Sequence, residues 1–140
     1  MLYGDNGFDG NLFSVRLLEE VGIVGDPERL EAYRRFAQEK AHRLYADWLR
    51  NPTGTLSSWQ TRDENIHRSG GAVLFPRSIQ GDYLSIVSFS GLKEAVDEAI
   101  SLMLGNYRSM SSSEHNQRVV AASNNLVFPE MWERFSSLVQ

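Results

Sequence analysis

The chain of 140 residues contains no cysteine, which excludes disulfides, thiolate catalysis and cysteine-based metal sites. It also lacks any long apolar run, so no segment of it is suited to spanning a membrane. Excess positive charge is missing too. Fourteen Lys and Arg stand against eighteen Asp and Glu, and the net charge of −4 weighs slightly against nucleic acid as a partner. Residues 1–11 have neither the basic start nor the apolar middle of a signal peptide, so a cytoplasmic location is expected. No serine stands in a Gly-x-Ser-x-Gly elbow. Ser69-Gly70-Gly71 precedes an expected strand, so its amides gain no helix dipole and it is no phosphate loop.

What is present is enough for one domain over residues 1–140, with a single core and no need of a staple. The opening, with Gly4, Asn6, Gly7, Asp9 and Gly10, reads as loop, and Leu12–Leu18 as a short strand. Asp26 followed by Pro27 is a helix start. Leu30, Tyr33, Ala37, Ala41, Leu44 and Trp48 then recur at spacings of three and four, until Asn51-Pro52 ends the helix. Residues 52–70 are polar and without period, with room for a helical turn around Ser58–His67. Ala72–Phe75 and Tyr83–Phe89 form an expected hairpin, and apolar residues on both faces of the second run predict a strand inside a sheet covered on at least part of both sides. A helix ending at a cap at Gly105 carries Leu92, Ala95, Val96, Ala99, Ile100, Met103 and Leu104 in a three-four rhythm, with Glu94, Asp97 and Glu98 opposite. Two further helices are expected over Ser113–Ala122 and Pro129–Val139, the second apolar enough that it must dock on this chain's core or on another copy.

Few residues carry chemistry. His42 and His67 each follow a glutamate by three residues, Glu39 and Glu64, a spacing that puts carboxylate and imidazole on one helix face. Two such pairs are the raw material of a dinuclear carboxylate site, although ordinary solvated helix faces show the same spacing. Ser90-Gly91 ahead of a helix could hold a small anion on free amides, or Ser90 could simply cap the helix. Trp59 stands in a polar segment, where an indole is a candidate ligand contact.

The order Gly70-Gly71, apolar strand, turn at Gly81-Asp82, apolar strand, Ser90-Gly91, then a helix bearing Asp97-Glu98 resembles the haem-binding-protein-S and glycolate-utilisation-protein-G-like (haem-degrading domain) family. Lys40-Ala41 is similar to that family's Lys-Ala helix, and Asp9-Gly10-Asn11-Leu12 leading to Arg16 is similar to its Gly-x-Leu strand. The likeness covers residues 5–104 and leaves 106–140 as a C-terminal helical extension. The family begins with a helix and a strand ahead of the Gly-Asn-Leu position, where this chain has almost nothing, so the C-terminal helices are expected to replace the missing helix. The resemblance implies a profilin-like layered domain that forms homo-oligomers, with haem or iron bound in some relatives.

The expected fold is therefore α/β of the α+β kind, an antiparallel sheet with amphipathic helices packed against it. The expected function is a non-catalytic small-ligand-binding or assembly domain, with His42, Trp59, Gly71 and Ser90 as candidate ligand contacts and no resident cofactor. The alternative is a metal-dependent or haem-handling enzyme using Glu39, His42, Glu64 and His67.

Overall fold

The computed structural model describes residues 2–5, 15–19, 26–62, 69–76 and 84–139. Strands β1 (Leu2–Asp5), β2 (Val15–Glu19), β3 (Ala72–Phe75) and β4 (Ser85–Ser88) form one sheet in the order β2-β1-β4-β3. Every neighbouring pair in it is antiparallel. Helices α1 (Pro27–Arg50), α2 (Glu94–Tyr107), α3 (Ser113–Ser123) and α4 (Val127–Val139) complete an α+β fold. No helix among the described residues is long and apolar enough to cross a membrane.

One correction concerns the start of the chain. Leu2–Asp5 is a strand inside the sheet, where a loop was expected from Gly4 onward: Tyr3 stands opposite Leu17 on one side and Ile86 on the other. Four residues including a glycine carry no readable period, and pairing with β2 on one side and with β4, far along the sequence, on the other holds them extended. The second strand starts at Val15; Leu12–Ser14 of the expected strand lie outside the described residues.

Helix α1 begins and ends where its residues dictate. The Asp26 carboxylate accepts the Glu28 N–H at 3.0 Å, Pro27 occupies the first turn, and Asn51 closes the helix before Pro52. Its stripe of Ala37, Ala41 and Leu44 is buried against one face of the sheet, where Ala72, Leu74 and Ile86 meet it. The alternate residues of the same strands, Val73, Phe75 and Val87, point the other way into a core built with Ala99, Leu102, Val119 and Phe128. Both faces of the hairpin are thus covered, as its two-sided apolar pattern predicts.

Strand β3 is the sheet's edge, and its outer side is not left open. The Leu74 N–H donates to Leu56 O at 2.9 Å, the Ala72 N–H to Ser58 Oγ at 3.1 Å, and His115 Nε2 donates to Leu74 O at 2.9 Å. Loop residues and one imidazole satisfy the backbone groups that would otherwise recruit another strand. The expected turn in this loop is a single 3-10 turn, Ser58–Thr61.

Gly105 is a second correction. It lies inside α2 rather than capping it, and a Cβ built there would stand 2.1 Å from Phe75 Cζ. The glycine is a notch that lets the Phe75 ring press on the helix backbone. Helix α4 docks on this chain's own core: Phe128 is buried, Trp132 stacks on it with ring centroids 6.0 Å apart, and Met131 packs alongside. Asn125 starts that helix, its Oδ1 accepting from the Val127 and Phe128 N–H groups at 2.9 and 3.0 Å.

Candidate functional site

Three charged side chains are buried, and two of them, Asp97 and Glu98, are expected from the sequence on the polar side of α2. Lys40 is 1% exposed, and Asp97 and Glu98 are each 2% exposed. The Lys40 Nζ lies 3.4 Å from Asp97 Oδ2, Phe89 O and Ser90 Oγ, and Asp97 Oδ1 accepts the Leu92 N–H at 2.9 Å. Burial pushes Lys40 below the ordinary lysine range, against the opposing pull of the Asp97 charge. Burial likewise pushes Asp97 above the ordinary aspartate range, against the Lys40 charge and the backbone N–H groups of Leu92 and Gly91. These amides at the entrance to α2 are the ones that could have held an external anion. The chain's own carboxylate takes them.

Gly71 sits at the centre of this lock. Its φ is +134°, a left-handed conformation, and a Cβ there would stand 2.4 Å from Phe89 O and 2.9 Å from Lys40 Nζ. The Gly71 carbonyl accepts from Phe89 N at 3.0 Å and from Ser101 Oγ at 2.6 Å. Beside it, Glu94 accepts from Arg62, from the Ser69 N–H and, at 3.1 Å, from the Gly70 N–H. Burial raises the Glu94 pKa, but the bonds from Arg62, Gly70 and Ser69 outweigh it and hold the carboxyl below the ordinary range. The Arg62 guanidinium lies 3.6 Å above the Trp59 ring, whose edge abuts Gly70.

Glu98 forms a second internal knot. It accepts from Ser57 Oγ, Ser123 Oγ and, at 2.9 Å, Asn125 Nδ2, tying the 3-10 turn, the end of α3 and the start of α4 to α2. Together the two knots explain why Asp97-Glu98 leaves the solvated face of α2.

The sequence-derived candidates therefore separate. Trp59, Gly71 and Ser90 converge around the double glycine, where their contacts are with the chain itself, while His42 is exposed on α1. Glu39 pairs with Arg43, and Glu64 and His67 lie outside the described residues. No three His, Asp or Glu side chains among the described residues come together to hold a metal ion.

An open cleft lies elsewhere, with a volume of about 400 Å³. Buried Leu56, Leu74 and Leu84 form its floor and half-buried Trp48, at the end of α1, forms one wall. Exposed Pro52, Thr53 and Pro76 stand at the rim with Arg118 of α3, the one charged residue among the described residues of the lining. None of these residues is a His, Met or Tyr able to ligate a haem iron axially, so no haem chemistry is derived from this cleft. Trp48 reads from the sequence as core, and Arg118 sits on a helix face with Glu114 four residues earlier, an ordinary solvated pattern. Neither carried a signal of the cleft, because the loop and strand residues that complete it are remote in sequence.

No family model, curated protein or solved structure matches the chain.

Proposed function

We propose that this domain binds a small, mainly apolar molecule in the cleft between the sheet, the end of α1 and α3, and that it acts by binding rather than by catalysis. The cleft's composition carries this reading. A volume of about 400 Å³ suits a small ligand, and the half-buried Trp48 indole stands open beside a floor of buried leucines. The groups best suited to acid–base work support it from the other side, since Lys40, Asp97 and Glu98 are spent on internal bonds away from the cleft. Homo-oligomer formation and a cytoplasmic setting, expected from the sequence, belong to the same proposal. Native mass spectrometry of the purified protein reports copy number and any retained ligand together.

The direct test uses the neutral fluorophore N-phenyl-1-naphthylamine. It should bind with a rise in emission, and Thr53→Trp, which narrows the rim, should weaken that binding about tenfold or more. Absence of saturable binding to the unaltered protein refutes the reading.

A further inference from the structure

We infer that the molecule bound in this cleft is an apolar carboxylate, its hydrocarbon body on Trp48 and the leucine floor and its carboxylate on the Arg118 guanidinium. This rests on the binding function proposed above and adds the chemical class of the ligand. The inference starts from what Arg118 does not do. Several arginines of the described structure face acids, Arg43 with Glu39, Arg62 with Glu94, and Arg134 with Glu130 at 3.1 Å, whereas Arg29 and Arg35 on the exposed side of α1 pair with none among the described residues. Arg118 has Glu114 one helical turn away in the favourable position, yet no carboxylate pairs with it among the described residues.

Its guanidinium turns instead to the rim, where Nη2 donates to Thr53 O at 3.4 Å. One long hydrogen bond engages one of five donors and leaves the planar fork to meet a carboxylate with two parallel bonds. Asp47 accepts from Thr55 Oγ1 at 2.8 Å, lies 3.9 Å from Arg50 and makes no ion pair with Arg118. His115, one turn before Arg118 on α3, adds no negative charge and is committed to Leu74 O. Among the described residues the cleft thus joins an apolar floor to one cation at its edge, which matches a molecule with an apolar body and an anionic end.

Calorimetric titration with 2-naphthoate and with 2-naphthamide, equal in shape and different in charge, tests this. The carboxylate should bind about tenfold to a hundredfold more tightly, and Arg118→Gln should remove that preference by weakening naphthoate binding to the level of the amide. Added salt should narrow the preference in the unaltered protein, a readout that needs no variant. Equal affinities for the two probes, or a preference that survives Arg118→Gln, overturns the carboxylate assignment. N-phenyl-1-naphthylamine, which has no charge, reports the cleft separately: if it binds while the naphthoate preference is absent, the ligand class is wrong and the binding function stands. If no probe binds, both fail.

Discussion

Lys40 and Asp97 face each other at 3.4 Å with both side chains almost wholly removed from water, one from the middle of α1 and the other from α2 across the sheet's end. Burial disfavours both charges, and each charge is tolerable mainly because of the other. The pair also touches Phe89, Ser90 and Leu92, so it anchors the chain between β4 and α2 to α1.

Removing one partner should be far worse than removing both. Lys40→Met leaves an uncompensated buried carboxylate and should cost about 3–5 kcal/mol. Lys40→Met combined with Asp97→Asn should recover a large part of that loss. Urea unfolding of the two single variants and the double variant measures the coupling, and strictly additive losses would contradict it.

Gly71→Ala should destabilise by about 3 kcal/mol or more, because the φ of +134° is strained for alanine and the new Cβ meets a backbone oxygen that cannot swing away. Gly54→Ala is the control. Its Cβ meets only the side chain of Asn51, which can move, and the loss should be small. Comparable losses at the two sites would refute the account of the lock.

At Gly105 two effects oppose each other. Helix propensity alone favours alanine by about 1 kcal/mol. The Phe75 ring at 2.1 Å from the new Cβ should reverse that into a net loss of about 1–3 kcal/mol. Phe75→Leu in the same chain should then make Gly105→Ala less harmful than it is alone. Thermal unfolding of the four combinations decides it, and a stabilised Gly105→Ala single variant rules the notch out.

His115 makes stability depend on pH. Burial holds its pKa below the ordinary value of 6.5, against the hydrogen bond to Leu74 O. Below 6.5 the unfolded imidazole takes a proton that the folded one refuses, so stability falls as the pH drops from 6.5 towards the folded pKa. The slope is at most about 1.4 kcal/mol per pH unit, and above neutrality the effect is gone. Asp97, with its raised pKa, contributes in the opposite sense, so the measurement is a difference: urea midpoints at pH 7.5 and 5.5 for the unaltered protein and for His115→Gln. The variant should lose less stability between the two pH values; an equal loss removes His115 from the explanation.

Much of the fold was legible because local signals sufficed. Asp26-Pro27 and Asn51-Pro52 bracket α1 to the residue, and the two-sided apolar run after Tyr83 correctly announces a sheet covered on both faces. The reading failed where one residue's role is decided by another far away. Gly4 is in a strand because β2 and β4 flank it, and Gly105 is a glycine inside a helix because the Phe75 ring occupies the space of a side chain. Asp97 and Glu98 lie on the polar side of any helical projection, yet both are buried, since Lys40 balances one and Ser57, Ser123 and Asn125 satisfy the other.

The candidate site divides in the same way. Trp59, Gly71 and Ser90 are recognisable from their types and neighbours, and they do meet, but around a lock made by the chain for itself. The cleft is assembled from Trp48, Leu56 of a loop, Leu74 of β3, Leu84 just before β4, and Arg118, residues that no spacing connects. Backbone caps, helix stripes and strand alternation are set by neighbours within a few positions, so the order of residues alone determines them. Which charges go inside, and where an opening remains, depends on what each side chain meets once distant segments have packed, and only the folded chain decides that.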